Sequence, residues 1–159
     1  MAKNAIRRAL VGVVDPHPNP SQIDSLWAFF ESSCAYCAKP LVRGKRDAHV
    51  DHLVPAQGGG SNHISNCVLS CSVCNGDEKR EGHWESFLRT KAPDDLEFAA
   101  RKGRIESWGA ACAPASPLDA ALLEAVNREI GAAISAFDRA LDNVRRAKMA
   151  RQIEQPIAD

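Results

Sequence analysis

No stretch of this sequence approaches the roughly 18 consecutive apolar residues that crossing a bilayer requires. The apolar run behind Arg7 and Arg8, Ala9-Leu10-Val11-Gly12-Val13-Val14, is too short for the core of a secretory signal and carries no convincing cleavage site. Net charge is absent too, because 20 Lys and Arg balance 20 Asp and Glu. Binding to a polyanion must then rest on local basic patches, not on the charge of the whole molecule. There is no internal repeat and no low-complexity tract. What remains is a globular composition, 45% hydrophobic and 25% charged, in 159 residues. That length suits one domain, or a compact core with an appendage. With no export signal in view, the expected compartment is cytoplasmic and reducing, where paired cysteines more often bind metal than form disulfides.

Three regions are expected. Residues 1–20 end in Asp15-Pro16-His17-Pro18-Asn19-Pro20, which propagates neither helix nor sheet, and read as an N-terminal arm. Residues 21–91 hold most of the cysteines, histidines and glycines. Ser21-Gln22-Ile23-Asp24 resembles a capping box opening a short helix to Phe30, with Trp27, Phe29 and Phe30 as core. Residues 92–159 read as a helical region. One helix starts after Ala92-Pro93-Asp94-Asp95 and runs to about Trp108, and a long one opens at Ser116-Pro117. The long helix carries Leu118, Leu122, Val126, Ile130, Ile134, Phe137, Leu141 and Val144 as a stripe, which packs on the core or on a second copy of the chain.

Four of the six cysteines form two Cys-x-x-Cys pairs, Cys34/Cys37 and Cys71/Cys74. A two-residue gap lets both thiolates of a knuckle reach one ion at about 2.3 Å, and two knuckles complete a closed tetrahedral zinc site. Such a site is structural, since no coordination position stays open. A redox pair or disulfides are the alternatives, and two pairs with no βαβ context argue against both. Cys67 and Cys112 stand outside the pairing and read as small buried apolar residues.

Between the knuckles lies Asp51-His52-Leu53-Val54-Pro55, followed by Gly58-Gly59-Gly60 and Asn66. A carboxylate beside a histidine offers a hard oxygen ligand and a base, the two things that metal-assisted phosphodiester hydrolysis requires. Adjacent strand residues face opposite ways, so both serve one phosphate only at a strand end or twist. The segment Asn75 to Thr90 reads as a helix that brings a further ligand. The span Cys34 to Lys79 resembles the HNH endonuclease family: Cys34/Cys37, Asp51-His52-Leu53-Val54-Pro55, Gly58-Gly59, Asn66, Cys71/Cys74, Asn75 and Lys79 occur in the family's order and spacing.

That resemblance implies an α+β chain with a ββα-metal, treble-clef-like core clipped by zinc knuckles and flanked by N-terminal and C-terminal helices. It implies His52 as the general base and Asp51 with Asn75 as ligands of a catalytic divalent cation. Asn66 would orient the His52 ring or brace the loop. Many members carry His where this chain has Asn75, and an amide oxygen favours Mg2+ or Mn2+, with Ni2+ an alternative. The expected partner is DNA, with a homodimer through the long C-terminal helix a further expectation and no membrane.

Around the motif, His49 shares a strand face with Asp51 and either touches the cation or a phosphate, or is a plain strand histidine. Arg43, Lys45 and Arg46 before the hairpin, and Lys79 and Arg80 after the second knuckle, are candidate backbone grips. Arg145, Arg146, Lys148 and Arg151 equally suit a helix C-terminus on their own account. The expected function is metal-dependent DNA cleavage. An RNA nuclease, or a zinc-stabilised nucleic-acid-binding or adaptor module with an inactive centre, are the alternatives.

Overall fold

The computed structural model describes residues 2–80, 82–113 and 119–153. They fall into two compact units, one made of the first and last helices and the other of the described residues from Asp15 to Ala113. None of the described helices is long and apolar enough to cross a membrane.

In the first unit, helix α1 (Ala2–Val14) packs along helix α5 (Ala120–Ile153). Lys3 Nζ pairs with Asp138 Oδ2 at 2.8 Å across the two helices. The segment read as an arm is thus helical up to Val14, and only the proline-rich Asp15–Asn19 is extended or irregular. Of the apolar stripe on α5, Ile130 is buried, while Leu141 and Val144 are exposed. The expected cap at Ser116-Pro117, and Leu118, lie outside the described residues.

The second unit starts its first helix, α2 (Pro20–Phe29), one residue before the expected capping box. Proline has no N–H to leave orphaned and its φ already suits a first helical turn, so Pro20 takes N1 and makes Asn19 the cap. The Asn19 side chain accepts from Gln22 N, and Gln22 Oε1 accepts from Asn19 N, both at 2.9 Å. Leu26 and Phe30 then point into the core.

The sheet is one antiparallel hairpin, β1 (Ala48–His52) with β2 (Cys67–Cys71), in the register Ala48↔Cys71 to His52↔Cys67. β2 is buried along its whole length, whereas in β1 only Asp51 is buried. The long connection between the strands is tied by Asn66. Its Oδ1 accepts from Val54 N at 2.9 Å, and its Nδ2 donates to the carbonyls of Val54 and Ser61 at 2.9 and 2.8 Å. Gly60 sits against this brace so closely that a Cβ would fall 1.7 Å from the Val54 carbonyl oxygen, and no other residue fits. Gly59 closes the preceding turn with a φ of 82°.

After β2 the chain winds into a π-helix, Val73–Lys79, and not into the continuous helix expected from Asn75 to Thr90. Arg80 breaks it with φ 47°, and the Gly82 N–H folds back on the Lys79 carbonyl at 2.8 Å. Helix α3 (Trp84–Lys91) begins afresh behind His83, which is its cap and not an interior residue. Helix α4 (Asp95–Ala111) is capped by Asp94, whose carboxylate accepts from Glu97 N at 2.8 Å; it starts where expected and runs on past Trp108 to Ala111. α4 holds the hairpin loop from behind: Trp108 Nε1 donates to the Ile64 carbonyl at 3.1 Å in the core formed by Leu26, Phe30, Leu69 and Ile105. The result is an α+β unit with a ββα-type core, the helix of which begins as a π-helix.

Candidate functional site

The first knuckle is a tight turn. Cys34 N donates to the Lys39 carbonyl, Ala38 N to the Cys34 carbonyl, and Ala38 takes a φ of 58°. The second runs from the end of β2 into the π-helix, where Cys74 N donates to Cys71 Sγ at 3.5 Å. This brings the Sγ atoms of Cys34, Cys37, Cys71 and Cys74 within 4.8 Å of one another. Cys37 and Cys71 are 3.8 Å apart, the edge of a tetrahedron whose centre lies about 2.3 Å from each sulfur.

The protons of these thiols are frustrated. Hydrogen bonding from Cys74 pulls the Cys34 thiol down. The same bond, with burial, pushes Cys74 up, and burial raises Cys37. Four thiolates cannot coexist here without a cation, and the donor set and spacing fit zinc. Cys67 is apart from the cluster and buried, its thiol donating to the His63 carbonyl at 3.5 Å.

Downstream of the clip, a cleft of about 530 Å³ opens between the end of β1, the loop after it and the π-helix. Asp51, His52, Asn75, Lys79 and Arg80 all line it. A π-helix bonds i to i+5 and winds more loosely than an α-helix; Asn75, Gly76 and Lys79 of it, and Arg80 just beyond its end, all face the cleft. The hairpin end supplies the opposite wall.

Asp51 is the buried member. Its Oδ2 accepts from the Tyr36 hydroxyl at 2.8 Å and from Lys79 Nζ at 3.1 Å. Burial pushes its carboxyl up, while Lys79 and Tyr36 act in the opposite direction. A carboxylate has about four acceptor directions, so these contacts leave room for a cation on the cleft side. Lys79 also donates to the His52 carbonyl at 2.7 Å and is buried. It is therefore a partner of the hairpin end and not the surface phosphate grip expected of it.

His52 is half-buried, and its Nε2 lies 3.0 Å from Asn62 Oδ1. Asn66, which was expected either to orient this ring or to brace the loop, braces the loop. His49 Nε2 donates to the Arg46 carbonyl at 2.9 Å, so its Nδ1 must accept; the group facing it at 3.2 Å is Asn75 Nδ2. The amide is thereby fixed with its Oδ1 turned away from His49. No described residue bonds that oxygen, and none bonds His52 Nδ1. His49 thus touches the Asn75 side chain.

Of the other basic candidates, Arg80 is exposed at the cleft. Lys45 and Arg46 are exposed before β1, and Arg43 is paired with Asp24 at 2.5 Å. Three contributors went unread in the sequence: Asn62, Asp15 and Tyr36. Tyr36 had a faint signal, a polar aromatic inside a knuckle that must be buried. Asp15 had none, since its partner is 47 positions away.

Among curated proteins the sequence finds no match. Residues 34–81, the span that carries both knuckles, the hairpin and the π-helix, match the HNH endonuclease family model.

Proposed function

We propose that this protein is a metal-dependent endonuclease that hydrolyses DNA phosphodiester bonds in the cleft between β1 and the π-helix. The observation that carries the reading is the convergence of His52, Asp51 and Asn75 on one cleft, with a His52 ring nitrogen and an Asn75 amide oxygen that no described residue bonds. Asp51 and Asn75 would hold a divalent cation, and their oxygen donors favour Mg2+ or Mn2+. When bound, the cation offsets negative charge on the phosphate and on the departing oxygen. His52 Nδ1 takes a proton from water as the water oxygen bonds to phosphorus; the P–O bond to the leaving oxygen breaks, and that oxygen takes a proton from solvent water. Arg80 at the rim suits a neighbouring backbone phosphate.

One cleft cuts one strand. A double-strand break requires two visits or a second copy, for which the exposed Leu141 and Val144 of α5 are the candidate contact.

The test is cleavage of supercoiled plasmid by protein that retains zinc, stripped of other metals and then given Mg2+, Mn2+, Ni2+ or Zn2+, beside His52→Ala. Nicked or linear DNA that depends on added cation and falls about 100- to 10,000-fold in the variant is expected. Equal cleavage by the variant would remove His52 from its role. No cleavage with any cation would move the assignment to a binding module with an inactive centre, and cleavage of a matched RNA strand alone would move it to an RNA nuclease.

A further inference from the structure

A histidine base works only when its proton sits on the nitrogen facing away from the water, and the tautomer is set by whatever the other nitrogen meets. In His52 that other nitrogen is Nε2, 3.0 Å from the side chain of Asn62. Which end of the amide it meets follows from the far side of Asn62. There Nδ2 donates to the Asp15 main-chain carbonyl at 2.7 Å, and a carbonyl can only accept. Oδ1 is therefore the atom turned towards the ring. An acceptor opposite Nε2 keeps the proton there and leaves the lone pair on Nδ1.

Asp15 holds Asn62 a second time, because its Oδ2 accepts from Asn62 N at 2.8 Å. Two bonds from one residue fix both the backbone and the amide plane of Asn62. Neither end of this contact is slack. Asp15 precedes Pro16, Pro18 and Pro20, whose locked φ stiffens the segment, and Asn62 follows the Ser61 carbonyl that Asn66 grips at 2.8 Å.

We propose that Asn62, clamped by Asp15, is the positioning residue that sets the tautomer and ring orientation of His52. Its consequence for rate rests on the nuclease reading above; its consequence for the tautomer does not. Asn62 lies within the matched HNH span and Asp15 outside it, so the clamp on the aiming residue comes from beyond the stretch that matches the family.

The experiment uses the full chain with zinc bound and its histidines labelled with 15N. Long-range proton–nitrogen correlation at a pH of about 8, where an ordinary imidazole is neutral, reports each tautomer. Only 5 histidines contribute signals, and His52→Ala identifies the relevant one. The wild type should show His52 protonated at Nε2. Asn62→Ala should give a mixture of tautomers, with kcat lower by about 10- to 100-fold and KM within about twofold. Asp15→Ala keeps the main-chain carbonyl and loses one bond, so it should fall between the two, and Asp15→Asn, which still offers an oxygen to Asn62 N, should restore the wild-type pattern.

Asp15→Ala serves as the decisive variant if Asn62→Ala does not fold. An unchanged tautomer and unchanged kcat in both alanine variants would overturn the proposal, as would a loss confined to KM. If the wild type cuts nothing, the nuclease reading falls while the nitrogen spectrum still decides the clamp.

Discussion

The two sites of this unit lie on the same short stretch of chain and are built on opposite principles. In the thiol cluster every donor points inward, the knuckle backbones close around it, and a zinc ion would fill the last unsatisfied demand. In the cleft next to it, the candidate reactive side chains are each held on one side by a neighbour. Asp51 is held by Tyr36 and Lys79, Asn75 by His49, His52 by Asn62, and each leaves capacity on the cleft side. A structural site is finished by its ion, whereas a reactive site is finished by its neighbours and left open towards solvent. Cys74 and Asn75 are consecutive, so the closed site fixes the chain from which the open one takes a ligand.

The largest effect should come from opening the closed site. Cys71→Ser removes a thiolate from a site whose zinc contributes about 10 kcal/mol or more to folding in comparable clips. The second unit should then lose its cooperative thermal transition and its stoichiometric zinc, measured by calorimetry and by metal analysis. Retention of both would mean that the hairpin does not depend on the clip.

A smaller effect should follow from removing the cation already built into the cleft. Lys79→Met leaves the Asp51 carboxylate buried with only Tyr36, and breaking one side of a buried pair costs about 3–5 kcal/mol. Chemical denaturation should show that loss, and an added divalent cation should recover part of it by occupying Asp51. A stability unchanged by the substitution would sink the view that Lys79 serves the hairpin.

The smallest effect tests the neighbours. His49→Ala frees the Asn75 amide to rotate, and cation affinity should fall about tenfold with zinc content and melting behaviour preserved. Titration with Mn2+ followed by electron paramagnetic resonance measures this. An unaltered affinity would show that the amide needs no such guide.

Much of this was legible because the two knuckles, the Asp-His pair and Asn75 are contacts of short sequence range with fixed spacing, and spacing is what a sequence displays. The hairpin, the four-thiol cluster and the approach of His52 to Asn75 follow from it. The turn residues were legible in kind but not in number. A glycine run announces a tight loop, yet only the backbone shows that Gly60 is the one pressed against Val54. What escaped depends on winding and on distance. Apolar periodicity cannot tell an α-turn from a π-turn, and that difference puts Lys79 under Asp51 instead of on the surface. Nor can it tell which asparagine of a polar loop meets the histidine, because Asn62 is selected by Asp15 from another part of the chain. The helix at Ala2–Val14 was hidden by reading the following prolines as the character of the whole segment.

The bond from Trp108 to the Ile64 carbonyl and the two bonds from Asp15 to Asn62 tie the hairpin loop to positions on either side of the stretch that matches the HNH family. The stretch that matches the family is therefore smaller than the stretch that holds the loop. A graft of residues 34–81 into another protein would carry every motif residue and none of the external props of that loop, so the host would have to supply substitutes for Asp15 and Trp108.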